Sequence, residues 1–137
     1  MRPGRKDHRE NGTVIVETAF TVLLLFTFLF AIMEAGRLLS LQQTLTDAAR
    51  EGARLGVTPL TQTNTLPSTT DIQDRVHVFL DAAGVTPTAI LVNPAGTPAD
   101  FTKVRVTANY QMITLSMFLN APLTLKGEAL MRNETSP

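Results

Sequence analysis

At 137 residues the chain has room for one small domain beyond any membrane segment. The absence of cysteine excludes a disulfide framework and a thiolate metal site, and twelve basic residues balanced by twelve acidic ones leave no electrostatic footprint for nucleic acid. The balance is uneven along the chain, because Arg2, Arg5, Lys6 and Arg9 crowd the leader and an apolar block follows at once.

That block runs from Val14 to Met33, VIVETAFTVLLLFTFLFAIM, with Glu17 as its one charge. A helix rises about 1.5 Å per residue and crosses the hydrocarbon core in about 20 apolar residues. Aliphatic and aromatic side chains from Phe20 to Met33 point all round such a helix, as lipid exposure favours. The remaining chain is too small to enclose the segment as a core helix. The continuation Ala31-Ile32-Met33-Glu34-Ala35-Gly36-Arg37 lacks the small-residue arrangement of a cleaved secretory signal. The expectation is an uncleaved span over about 14–35. Four basic residues precede it, whereas only Arg37 and Arg50 follow closely, which predicts a cytoplasmic N-terminus and an extracytoplasmic C-terminal part.

Past the span, Leu38, Leu41, Leu45, Ala48 and Gly52 recur at three- and four-residue steps, one face of a helix. Asp47 with Arg50 and Glu51 with Arg54 stand at helical pairing distances. One helix is therefore expected over 13–56, membrane below and amphipathic stem above. Its last turns carry the small residues Ala48, Ala49, Gly52, Ala53 and Gly56, over which another backbone can approach closely. The spacing suits two partners equally: a sheet of the same chain, or a neighbouring helix in an oligomer.

Residues 57–70, rich in threonine and proline, read as a loop. Thr70 with Gln73 makes a candidate capping box for a second helix, whose apolar face is Ile72, Val76, Phe79, Leu80 and Ala83 and whose C-terminal cap is Gly84. Three strands follow. Thr88 to Val92 is short, and NPAGTPAD after it is a hairpin loop. Val104, Val106, Ala108, Tyr110 and Met112 then alternate with polar residues, as do Leu123, Leu125, Ala129 and Met131, so each strand buries one face. Between them, 113–122 keeps Leu115, Phe118 and Leu119, either a short covering helix or an exposed contact patch. The fold class is α+β: a long N-terminal helix, then a short helix and a three-stranded antiparallel sheet. In domain terms this gives a basic cytoplasmic leader at 1–12, the helix at 13–56 and an extracytoplasmic α+β domain at 57–137.

The residues of catalysis are sparse, and the expectation is a non-enzyme that needs neither cofactor nor metal. His8 lies in the leader, and His77 lies on the second helix, where a structural or solvent role is expected. Phosphate-binding glycine loops are absent. Asn11-Gly12-Thr13 and Asn133-Glu134-Thr135 fit the glycosylation sequon, a short pattern that carries little weight. Glu17 is the exception. A charge at the bilayer centre costs about 2.5–3.5 kcal/mol, and less near the interface. The carboxylate therefore reaches back to the headgroups, is protonated, or finds a partner.

Gly12-Thr13-Val14-Ile15-Val16-Glu17, behind a basic leader and ahead of an apolar run, resembles the class III signal of type IV pilin-like proteins. Val16-Glu17 with Ala19, Glu34-Ala35-Gly36-Arg37, and Ala48-Ala49-Arg50-Glu51-Gly52-Ala53-Arg54 resemble the TadE-like family of tight-adherence pilus assembly. Ala129-Leu130-Met131-Arg132 is similar to the end of those proteins. Thr18 stands where major pilins of this system usually carry an aromatic, which points to a minor, pseudopilin-like component. Leu23 stands where many relatives have proline, so no kink is expected there.

The resemblance implies a type IV pilin-like fold in the bacterial inner membrane, possible incorporation in a pilus, and a role in pilus biogenesis and adhesion. It implies cutting between Gly12 and Thr13 by a prepilin peptidase, with the anchor retained. Other pilins or pseudopilins, the assembly platform and inner-membrane lipid are the partners it implies. Cutting would free an α-amino group on Thr13, with an ordinary pKa of about 7.7–8.0, to pair with Glu17 in the same chain or the adjacent subunit and so set helix register. The competing readings are an unprocessed single-pass anchor with a protein- or ligand-binding domain, and a membrane-tethered enzyme.

Overall fold

The computed structural model describes residues 7–60, 65–113 and 122–134, with side chains from residue 12 onward. Helix α1 runs from Asp7 to Val57 and is followed by α2 (Thr69–Ala82), β1 (Ala89–Val92), β2 (Phe101–Tyr110) and β3 (Leu123–Arg132). The chain divides into two compact units, residues 1–36 and 37–137, and α1 contributes to both. The expected α+β class is the observed one.

In the first unit every side chain from Gly12 to Met33 is exposed, Phe20, Leu23 and Ile32 each by about two thirds. None of the apolar window, whose mean hydropathy is 2.3, is buried. Apolar surface of that extent in water would be an aggregation site, whereas in lipid it is solvated. The helix fits a membrane anchor. Its polar residues are accommodated locally, as where the Thr27 hydroxyl donates to the Leu23 carbonyl one turn back at 2.9 Å. α1 also begins earlier than the sequence suggests, since it takes in the end of the basic leader.

In the second unit the three strands form an antiparallel meander in the order β1-β2-β3. Ile90 faces Val106 across β1 and β2, and Val106 faces Gly127 across β2 and β3. Strand alternation puts Thr102, Val104, Val106, Ala108 and Tyr110 on the buried face of β2. There they join Leu125 of β3, Leu45, Ala48, Ala49 and Ala53 of α1, and Ile72, Val76 and Leu80 of α2 in one core. Burying each large aliphatic side chain contributes about 1.5–3 kcal/mol. Among the expected core positions, Phe79 stays 37% exposed and Leu123 40% exposed. Met112 lies beyond the end of β2.

The ends of α2 differ from expectation at one side. Ser68, and not Thr70, is its N-cap: the Ser68 hydroxyl accepts from the Asp71 amide at 3.2 Å, and the Asp71 carboxylate accepts from the Ser68 amide at 3.0 Å. Adjacent Ser68, Thr69 and Thr70 can each cap, and the acid three residues past Ser68 completes the reciprocal pair. The other end closes at Gly84. Its φ of 68° reverses the chain so that the Val85 amide donates to the Leu80 carbonyl at 2.9 Å and the Gly84 amide to Asp81 at 3.0 Å. The β1–β2 hairpin turns at Asn93, also left-handed (φ 49°), whose side-chain oxygen accepts from the Lys103 amide at 2.9 Å. Leu115, Phe118 and Leu119 lie outside the described residues.

Candidate processing and assembly site

Gly12, Thr13 and Glu17 all lie on α1 in the first unit. Thr13 and Glu17 are one helical turn apart, so their side chains share a face. Long helical side chains lean towards the N-terminus, which carries the Glu17 carboxylate over the Thr13 turn. Glu17 is exposed on the helix surface.

Gly12 has no packing reason to be glycine. Among the described residues, a methyl group added there would meet nothing within 4 Å. Glycine inside a helix costs about 0.5–1 kcal/mol relative to alanine. Its cost therefore has no return within this fold.

The small residues of the stem belong to the second unit, and they are buried there. Ala48, Ala49 and Ala53 are fully buried. A methyl group on Gly52 would sit 2.5 Å from Val76 Cγ2, and one on Gly56 would sit 2.7 Å from Thr102 Cγ2 and 2.8 Å from Ile72 Cδ1. Their neighbours are thus α2 and β2 of the same chain. Glu51, inside the AAREGAR stretch, accepts from Arg75 Nη2 of α2 at 2.6 Å and from Nε at 3.1 Å. Asp47 and Arg50 pair on the stem surface at 3.4 Å.

Among the described residues, shallow clefts flank the stem. One, of about 340 Å³, is lined by Glu51, Arg54, Leu55, Thr58 and Arg75. Another, of about 300 Å³, is lined by Arg37, Ser40, Leu41, Thr44, Ala83, Val85 and Tyr110. In the second, the Arg37 guanidinium lies over the Tyr110 ring, 5.8 Å from its centroid. No spacing argument could have joined residues so far apart in sequence. Among the described residues no group of three His, Asp or Glu is placed to hold a metal.

Residues 12–54 match the family model of TadE-like proteins. The TadE-like segment opens at Gly12 and closes at Arg54, and so takes in the glycine–glutamate spacing, the apolar run and the stem. It suggests a pilin-like protein associated with the tight-adherence pilus. No curated protein and no solved structure matches the chain.

The second sequon has a structural occupation. Asn133 Oδ1 accepts from the Thr102 hydroxyl at 2.8 Å and its Nδ2 donates to the Ala99 carbonyl at 3.3 Å, so the amide is tied at both ends. His77 is exposed on α2.

Proposed function

We propose that this protein is a minor pilin or pseudopilin-like component of tight-adherence pilus assembly, acting by assembly and not by catalysis. One observation carries the reading: the TadE-like match begins at Gly12, the residue at which a prepilin peptidase would cut. The unpacked Gly12 supports it, since no described residue packs against it closely enough to require glycine there. In this reading the leader is cytoplasmic, the apolar helix stays in the inner membrane after cutting, and residues 37–137 face outward. Its partners are the peptidase, other pilins and the assembly platform, and its role is in pilus biogenesis and adhesion. Coexpression with a cognate prepilin peptidase tests it: the expected product begins at Thr13 by intact mass, and an intact leader on functional, assembled protein overturns it.

An unprocessed single-pass anchor is the second reading, and the helical backbone through Gly12 and Thr13 favours it. A peptidase needs its bond extended, so cutting requires this turn of α1 to open. Glycine lowers the cost of that opening. The same mass measurement separates the two readings.

A further inference from the structure

The cleft at Arg37 has three properties that belong together. Its hydrogen-bonding side chains come mainly from one helix face, Arg37, Ser40 and Thr44, at steps of three and four residues. Its cation is exposed, and none of the ion pairs among the described residues uses it. Its floor includes Tyr110, the last residue of β2, whose ring lies beneath the guanidinium.

A guanidinium over a ring face is attracted by the π surface without using up its N–H groups, which stay able to donate. A planar fork of N–H donors suits a phosphate, which accepts two parallel bonds. The Ser40 and Thr44 hydroxyls are further donors on the same face, although the Thr44 hydroxyl now donates to the Ser40 carbonyl at 3.0 Å and must turn to reach a ligand. Leu41, Ala83 and Val85 make the remaining wall apolar.

The source of the phosphate follows from chain length. Arg37 comes four residues after Met33, the end of the apolar run. Even fully extended, four residues span no more than about 14 Å. If the run lies in the hydrocarbon core, Arg37 is confined to the headgroup layer or its immediate border. Tyrosine is enriched at that depth, and a long arginine side chain can lay its stem along apolar surface there while its charge reaches the headgroups.

We propose that the Arg37–Tyr110 cleft is a binding site for the phosphodiester headgroup of a membrane phospholipid, preferentially an anionic one. The proposal rests on the membrane-anchor reading and adds a function for the base of the outer module. A lipid phosphate in this cleft touches the stem through Arg37 and Ser40 and the sheet through Tyr110, so it ties the module to the bilayer surface.

The test uses the full chain in lipid nanodiscs and in detergent, with phosphatidylglycerol, phosphatidylcholine and inorganic phosphate as probes. Native mass spectrometry should show retained phosphatidylglycerol in preference to phosphatidylcholine. Arg37→Gln should lower that retention about fivefold, the effect expected of one basic residue at an anionic surface. Arg54→Gln, in the other cleft, should not. Tyr110→Phe keeps the ring and should retain lipid, whereas Tyr110→Leu should lose it. Equal retention of both lipids, or no loss in Arg37→Gln, overturns the proposal. Displacement of lipid by millimolar inorganic phosphate also overturns it, in favour of a free-anion site. Alkaline extraction is read separately: release of the wild-type chain from membranes removes the anchor reading itself, and retention with no lipid preference removes only the cleft.

Discussion

Gly127 of β3 lies directly against the backbone of Leu45 in α1. A methyl group placed on Gly127 would overlap the Leu45 carbonyl and fall 2.5 Å from the Thr46 amide nitrogen. Nearby, Gln42 Nε2 donates to the Lys126 carbonyl at 2.7 Å, so the helix holds the strand by a hydrogen bond as well as by close approach. Backbone meets backbone here, and neither element can yield by turning a side chain.

Gly127→Ala should therefore destabilise the unit of residues 37–137, at or above the upper end of the about 1–3 kcal/mol typical of overpacking. Gly52→Ala should cost less, because its added methyl meets the tip of Val76 and the substitution regains about 1 kcal/mol of helix propensity. Thermal unfolding of the two variants in detergent, followed by circular dichroism, gives the ranking. Equal melting temperatures would mean that β3 lifts from the stem without cost.

A second prediction concerns the start of α2. Ser68→Ala removes an N-cap, a change that costs about 1 kcal/mol in most helices. The Ser68 hydroxyl and amide hold the Asp71 carboxyl below its ordinary value. Such a depressed group contributes stability that is present above its unfolded pKa and lost as pH falls through the folded one. Wild-type protein should thus lose α2 stability below about pH 3.8, the ordinary value for that carboxyl. In Ser68→Ala the loss should be shallower, because less is there to lose. Melting temperature measured from pH 6 to pH 2 checks both.

The outer face of the sheet offers a third. Glu128 lies opposite Arg105 in the strand register and pairs with it and with Lys103, 2.9 Å from Nζ. Lys103, and then Arg105, hold the Glu128 carboxyl below its ordinary value of 4.5. By the same sign rule the stabilisation is complete above that pH and fades below it. Glu128→Gln should flatten the acid limb of the melting curve while changing little at pH 7 and high salt, since exposed pairs are screened. An unchanged acid limb would place the sensitivity elsewhere.

Period and punctuation made much of this legible in the sequence. Alternation at Val104, Val106 and Ala108 gives the buried face of β2, and the helical steps at Ile72, Val76 and Leu80 give that of α2. What stayed hidden were contacts whose partners no spacing connects. Gly127 interrupts an alternating strand without announcing what approaches it, and Arg37 over Tyr110 joins the stem to the far end of β2. The small residues of the stem were visible, but their neighbours were not, because close approach requires the same residues whether the second backbone is a sheet or a helix. At the candidate processing site the spacing from Gly12 to Glu17 was plain, while the helical state of that turn was not. No proline stands between Asp7 and Thr13, and α1 extends back over that part of the leader.

The last prediction assigns Glu17 its partner. In the proposed assembly, cutting after Gly12 gives Thr13 an α-amino group, ordinarily protonated up to a pKa of about 7.7–8.0. Glu17 shares a helix face with Thr13 one turn away, so a pair can form within the chain, or between chains when a second helix lies alongside. Both charges lose hydration near the membrane, and the net stabilisation of the pair is small for that reason. Register is the larger consequence: an unpaired carboxylate is penalised in lipid, so a neighbouring helix is favoured only where its amine arrives beside Glu17. Glu17→Gln keeps the shape and removes the charge, and Glu17→Ala also removes the hydrogen-bonding groups. Both variants should insert in the membrane and melt at the wild-type temperature, because Glu17 is exposed and outside the core. Both should lose crosslinks from positions beside Thr13 to the neighbouring subunit, and with them incorporation into the pilus machinery. Wild-type crosslinks and piliation in the two variants would leave Glu17 as a residue that reaches the headgroups, with no part in register.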